Sequence, residues 1–525
     1  MNTPLIPALP RRKLPIGIQT FSKLREEGCY YVDKTPHALQ LIESGSDYFL
    51  SRPRRFGKSL FLDTLRELFE GNQPLFTGLA AEHRWDWTKK YPVIRISFGG
   101  GVLGSVEDLG QSLHQQLTTL EQQYGLQAQF PDHRSRFKDL IAHVAKTAGQ
   151  RAVILVDEYD KPILDRIESP DIAVQIREVL KDFYSVIKDS DAHIKFVLLT
   201  GVSKFSKVSL FSGLNNLKDI TLDPRYSDIC GYTDADVDTV FAAELPGLDR
   251  ALMRQWYNGY NWLGEPVYNP FGLLLLFDTR EFMPHWFETG TPTFLIKLLQ
   301  QRQQFTPDLS RIVATDTLLS TFDVDNIPVE ALMFQAGYLT IDNFWRIPGQ
   351  MELTLKYPNL EVQSSLNRSL LQSLTGGLAV PGPHISKLYK LLLAQDFSGL
   401  KDLFHAFYAS IANDWYRKNE LSNFEGYYVS IFYSYFAALG LTIKLEDPTN
   451  VGRIDMTVLF NGQVFLFEFK VVELNPAGKA LQQIKVMGYA DKYRARGEPI
   501  HLIGVEFSKA SRNIVGFEVE TLAIT

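Results

Sequence analysis

At 525 residues and 59.7 kDa the chain is too long for one compact core, and usual domain sizes suggest roughly three domains. Hydrophobic residues at 45% and charged residues at 22% exclude a disordered or low-complexity chain, and two distant cysteines, Cys29 and Cys230, exclude a disulfide scaffold. A formal net charge of -6 excludes a globally basic, duplex-coating protein, although a local basic cleft stays open.

In chain order, the N-terminus lacks a basic stretch followed by an apolar one, so no signal peptide is expected. Asp47-Tyr48-Phe49-Leu50 is a short apolar run entering a turn that bears arginine and glycine. Leu60, Phe61, Thr64, Leu65 and Leu68 then mark one face of a helix. Val93 to Phe98 alternates and stops at Gly99-Gly100-Gly101, a strand with a clear end. Helices are expected over 105–124 and 136–148. Ala152-Val153-Ile154-Leu155-Val156 is apolar throughout and rich in β-branched residues, as a strand buried on both faces of a parallel sheet must be. A second such strand covers 194–199, and the alternation predicts a doubly wound α/β domain.

From about Thr233 the pattern turns mostly helical, broken by turns at 257–261 and 268–271. The most apolar run, 272–277, is far too short to cross a bilayer. Thr375-Gly376-Gly377 marks a boundary. Helices follow to about Leu439, then strands at 441–445, 453–459 and 463–469, a helix over 477–494 and a last strand near 501–506.

Two constellations carry chemistry. A phosphate-binding loop needs inward backbone N–H groups, a helix N-terminus, a lysine and a hydroxyl for Mg²⁺. The segment Arg54-Arg55-Phe56-Gly57-Lys58-Ser59-Leu60 supplies them, although Arg52 stands where the usual pattern has its first glycine. The strand 152–156 delivers Asp157 and Glu158 at its carboxyl end, where α/β sheets place ligands. Asp157 would hold Mg²⁺ through water, Glu158 would polarise the attacking water, and Thr200 at the end of the next strand would occupy a sensor position. The bland alternative has Lys58 on a helix surface and the acid pair at a solvated strand end. Arg54 and Arg55 could meet phosphate, a neighbouring subunit's nucleotide or solvent.

The second constellation opens at Gly452-Arg453-Ile454-Asp455 and continues, after the turn Asn461-Gly462, into Phe465-Leu466-Phe467-Glu468-Phe469-Lys470. Period-two geometry puts Glu468 and Lys470 on one face, and a hairpin can bring Asp455 beside Glu468. Two carboxylates and a lysine there are costly without a metal or ion pairing. The alternative is a set of surface ion pairs. Lys485, Lys492, Arg494 and Arg496 could form a basic strip for phosphates or simply a solvated helix face. Trp256, Tyr257, Tyr260 and Trp262 could stack bases or pack a core. The ten histidines show no zinc spacing.

These motifs resemble a family, the bacterial and archaeal AAA-ATPase-like proteins with a PD-(D/E)XK nuclease domain at the C-terminus. The matching residues are Tyr31-Val32-Asp33-Lys34-Thr35, the run from Arg52 to Leu60, Val156 to Pro162, and Leu199 to Phe205. In that family the arginine at the place of Arg52 is usual. The resemblance implies an α/β protein with a P-loop ATPase core on a parallel sheet (1–232) and a mostly helical middle region, in which a winged helix is one option (233–374). A restriction-endonuclease-like α/β domain (375–525) completes it. It also implies that Asp455 and Glu468 bind Mg²⁺, that Lys470 supports the nucleophile, and that Glu425 and Gln483 assist.

The expected function is an ATP-binding, ATP-hydrolysing protein that gates a Mg²⁺-dependent nuclease, with defence against foreign DNA as a setting. Two alternatives stand beside it: a signalling or scaffold ATPase whose C-terminal domain binds without cutting, and an RNA-cleaving toxin. The expected cofactors are ATP and Mg²⁺. The expected partner is nucleic acid, DNA before RNA, with a cytoplasmic homo-oligomer and no membrane.

Overall fold

Four apolar runs of the first half become parallel strands of one sheet: β1 (Asp47–Ser51), β2 (Val93–Ser97), β3 (Ala152–Asp157) and β4 (Ile194–Gly201). A two-residue strand, β5 (Lys218–Asp219), pairs with β1 at the edge. This computed structural model describes residues 10–204, 216–287, 295–296, 298–299, 309, 311–320, 328–374, 381–410 and 425–522. Phe205 and the expected boundary at Thr375-Gly376-Gly377 lie outside the described residues. The strand order is β2-β3-β4-β1-β5, so β4 is inserted between the strand that enters the phosphate loop and the strand that ends in Asp157. This is the additional-strand arrangement.

Every residue of β3 is buried, and β4 is nearly so, because helices cover both faces as parallel connections require. The helices Val106–Gln123 and His133–Ala148 join β2 to β3, and Pro170–Asp189 joins β3 to β4. Ser105 and Asp132 start the first two by accepting the amides of Asp108 and Ser135, each cap contributing about 1 kcal/mol.

The chain divides into two units, Met1–Trp286 with Ile312–Asn359, and Phe287–Arg311 with Leu360–Thr525. Besides the parallel sheet, the first unit holds helices Asp234–Val240, Arg250–Tyr257 and Pro270–Thr279, which share a core with Tyr30 and Val32. It also holds a three-stranded antiparallel sheet of β6 (Ile312–Thr315), β7 (Thr340–Ile347) and β8 (Gln350–Lys356), in the order β6-β8-β7. This hairpin lies within the region read as mostly helical. Its alternation is masked because β7 is exposed from Asp342 onward.

The second unit is a mixed sheet of β9 (Thr442–Pro448), β10 (Arg453–Phe460), β11 (Gln463–Val472), β12 (Ile500–Ser508) and β13 (Asn513–Leu522). The order is β13-β12-β11-β10-β9, with β11 and β12 parallel and the other pairs antiparallel. The strand β13 goes beyond the sequence reading, and the helix expected over 477–494 is divided into Lys479–Val486 and Asp491–Arg494. Phe465, Phe467 and Phe469 join one core with Tyr428, Phe432 and Phe436, while Val464 and Leu466 join another with Ile484 and Tyr489. That alternation fixes which face of β11 carries the even-numbered residues. Among the described residues no helix is long and apolar enough to cross a membrane.

Candidate nucleotide site and candidate metal centre

The phosphate loop leaves β1 and ends at Gly57, the N-cap of the helix Lys58–Glu70, whose φ of 91° is left-handed. The other left-handed residue of the loop is Arg55 (φ 67°), a conformation that costs a non-glycine residue about 1 kcal/mol or more. Arg52 is not left-handed, which is why no glycine is needed there. Lys58 is buried, and its Nζ donates to the carbonyls of Arg52 and Pro53, each at 2.9 Å. Burial lowers its pKa, and Asp157 opposes that shift. An ammonium has three donors, so one N–H remains for a ligand oxygen.

Arg54, Arg55 and Gly57 are exposed, and Ser59 and Leu60 are half-buried in the first helical turn. The Arg55 guanidinium lies 4.9 Å from the centre of the Phe271 ring, and the Arg54 carbonyl accepts from Trp286 Nε1 at 3.0 Å. Phe56 is buried, with its ring edge-on to Tyr260 and Trp262 at 4.8 and 5.4 Å. Tyr260 and Trp262 are therefore packing residues, buried beside the loop, and Tyr257 is buried in the core shared with Tyr30 and Val32.

Asp157 ends β3 almost fully buried. It accepts the Thr200 hydroxyl at 3.1 Å, while Arg95 stands 3.8 Å from its other oxygen and binds Asp63 of the helix Lys58–Glu70 at 2.7 Å. Thr200, expected at a sensor position, has no exposed surface, and its hydroxyl orients Asp157. Glu158 is half-buried with φ 52°, and its carboxylate comes within 3.5 Å of where a Cβ on Gly99 would stand.

Asp160 lies in the matched run from Val156 to Pro162, but the sequence assigns it no role. It is buried and accepts the amides of Val202 at 3.0 Å and Ser203 at 2.5 Å, tying the exit of β4 to the acid pair. Burial pushes its carboxyl up to about 6, against the pull of the Ser203 amide and Lys58. The only sequence signal is a third acid three residues after Asp157; its partners are more than 40 residues away.

In the second unit Asn461 and Gly462 both have positive φ (50° and 68°), as a two-residue hairpin turn demands, and set β10 against β11. Met456 pairs with Phe467, so Asp455 falls opposite Glu468. Asp455 accepts the Phe469 amide at 2.8 Å. Glu468 has no exposed surface; its Oε1 accepts Lys470 Nζ at 3.2 Å and its Oε2 has no hydrogen-bond partner among the described residues. Burial first, then repulsion from Asp455, pushes Glu468 up to about 7.

An orphaned oxygen on a buried carboxylate, beside a second carboxylate, is the donor set a divalent ion would satisfy. Among the described residues no three His, Cys, Asp or Glu side chains form a metal cluster. A bound divalent ion would supply charge neutralisation and an acidified water.

Gln483 is half-buried on the helix Lys479–Val486, which packs against β11 and β12 on the face that carries Leu466. Glu425 is the first residue of the helix Glu425–Ala437, and its side chain lies outside the described residues. Gly452 is required where Tyr489 Oη would stand 2.9 Å from a Cβ. The four cations of the basic strip are all paired: Lys485 with Glu520, Lys492 with Asp447, Arg494 with Asp491 and Arg496 with Glu498. They form a neutralised face. Glu506 of β12, in register with Lys470, also went unread; it accepts amides from Ala477 to Ala480 and fixes the start of the helix that bears Gln483.

A parallel additional-strand sheet ending in a phosphate loop, and a mixed sheet with two facing carboxylates, define an ATPase-like domain and a nuclease-like domain. The family model of a predicted AAA-ATPase matches residues 15–211, and that of the PD-(D/E)XK nuclease superfamily matches 423–517. The chain belongs to the family of AAA-ATPase-like proteins with a C-terminal PD-(D/E)XK nuclease domain. It is 64% identical over 515 residues to an uncharacterized protein in the vnfD 5′ region of Azotobacter chroococcum mcd 1, an alignment covering 98% of this chain and 100% of that one.

Proposed function

We propose that this chain binds and hydrolyses ATP at the loop 54–60 and that the nucleotide state gates a Mg²⁺-dependent nuclease acting on DNA. In this reading Lys58 and the loop amides receive the phosphates, Ser59 and Asp157 face the Mg²⁺, Glu158 polarises water, and Thr200 keeps Asp157 oriented. At the second centre Asp455 and Glu468 hold Mg²⁺ and Lys470 steadies the attacking oxygen, with Glu425 and Gln483 assisting. Defence against foreign DNA is the setting that suits such a pairing.

The observation that carries the nuclease half is the unpartnered Oε2 of fully buried Glu468 opposite Asp455. Lys470 reaches only the other oxygen of this buried acid, which leaves Oε2, facing Asp455, suited to a divalent cation.

The test is cleavage of plasmid DNA and of RNA by the full chain, with Mg²⁺, with and without ATP. DNA cleavage that depends on ATP and disappears in Asp455→Ala and Lys470→Ala is the expected result. Cleavage of RNA alone would favour the toxin alternative. No cleavage of either, with ATP and Mg²⁺ present, would leave a scaffold ATPase.

A further inference from the structure

Where a phosphate loop usually carries its first glycine, this chain buries a cation. Arg52 has no exposed surface, and its guanidinium donates to the carbonyls of Ser51 (2.9 Å), Thr221 (3.0 Å) and Tyr226 (2.9 Å). The same group lies 4.2 Å from the centre of the Trp262 ring. Among the described residues Asp219 and Asp228 act on it only through space, with no direct ion pair, and its Nε has no hydrogen-bond partner. Burial pulls its pKa down to about 10. A buried charge without a direct counter-ion is expensive, so carbonyl dipoles and an aromatic face must be holding it for a purpose.

The purpose is visible in what Arg52 and Trp262 touch. The Arg52 carbonyl is one of the two acceptors of Lys58 Nζ. Trp262 also meets Phe56 edge-on, so one indole grips the loop at two points four residues apart. We propose that Arg52 is a positioning residue for the nucleotide site: clamped between Trp262 and the turn at 221–226, it replaces the loop's backbone freedom with a side-chain anchor and sets where Lys58 stands. This rests on reading 54–60 as the ATP site. It makes nucleotide affinity depend on Trp262, a residue remote in sequence from the loop.

A lysine cannot reach three carbonyls as the guanidinium fork does, and phenylalanine keeps the packing on Phe56 while weakening the cation–π face. The experiment measures the affinity of the full chain for Mg·ATP by calorimetry, together with melting without nucleotide. It compares wild type with Lys58→Ala, Arg52→Lys, Trp262→Phe and Trp262→Leu. Arg52→Lys and Trp262→Leu should weaken ATP binding about tenfold, which is about 1.4 kcal/mol. Trp262→Phe should weaken it about threefold, more than its modest fall in melting temperature accounts for.

Wild-type affinity in folded Arg52→Lys and in Trp262→Leu would overturn the inference. So would losses that merely follow the melting temperature. If Arg52→Lys does not fold, the two Trp262 variants decide. If wild type itself binds no ATP, the ATP-site reading falls and takes this inference with it. If Lys58→Ala alone loses binding, the ATP site stands and only the role of Arg52 fails.

Discussion

Replacing Glu468 with glutamine should stabilise the metal-free protein near pH 8 while ending cleavage. Folding raises the Glu468 carboxyl from its ordinary 4.5 to about 7, chiefly through burial and then through Asp455. A carboxyl whose folded value is raised contributes its full stability below the unfolded value, and loses it as pH rises through the folded one. At about 1.4 kcal/mol per pH unit, ionised Glu468 costs about 3 kcal/mol near pH 8 relative to its protonated form. Glutamine keeps an oxygen for Lys470 to reach but cannot ionise, so Glu468→Gln escapes that cost. The assay is hydrogen exchange of the β10 and β11 amides in EDTA across about pH 4 to 8, repeated with saturating MgCl₂. Wild type should lose protection with rising pH in EDTA and regain it with Mg²⁺, whereas Glu468→Gln should respond to neither. Identical protection in the two proteins at every pH, unaffected by Mg²⁺, would refute the argument that this buried acid awaits a cation.

Lys58→Ala should abolish ATP binding or weaken it strongly, and Glu158→Gln should retain bound ATP without turnover, both read by nucleotide retention on the purified chain. Gly504→Ala places a Cβ 2.3 Å from the backbone N of Leu481, so the helix Lys479–Val486 must shift. The expected loss is about 1–3 kcal/mol in the second unit and a fall in cleavage, with ATP affinity unchanged. Lys485→Ala with Arg494→Ala removes two exposed ion pairs and should change stability by less than about 1 kcal/mol. DNA affinity and its salt dependence should also stay as in wild type, and a clear fall in either would restore the basic strip as a binding surface.

Short-range regularities made much of this legible. The runs at 152–156 and 194–199 carry the signature of strands buried on both faces, and Asn461-Gly462 between two strand-like segments is a hairpin signal. The loop at 54–60 and the pairing of Asp455 with Glu468 follow from these, because each site is where such strands end or face each other. What stayed hidden depends on contacts far along the chain. Arg52 looked like a missing glycine because its partners, Thr221, Tyr226 and Trp262, are about 170 to 210 residues away. The bond from the Thr200 hydroxyl to Asp157 was hidden too, because nothing local in the sequence reveals where that hydroxyl points. The exposed hairpin of β7 and β8 carries Phe344, Trp345 and Ile347 on strands with little burial, so its alternation has no contrast.

Asp160 and Glu506 suggest a common reason for this division. Each is a buried carboxylate that accepts backbone amides from a distant segment, at the exit of β4 and at the start of the helix Lys479–Val486. Each stands near a lysine assigned to chemistry, Asp160 close enough to Lys58 to feel its charge and Glu506 in register with Lys470. Carboxylates bonded to several amides hold backbone, not substrate, and amide groups offer a rigid, uncharged set of donors for that task. On the proposed function the motif residues supply the reacting groups, while these acids set the distances between them. Replacing a motif residue should remove a reaction. Replacing Asp160 or Glu506 by its amide should leave the reacting groups in place but loosen their spacing, because an amide can accept from fewer N–H groups.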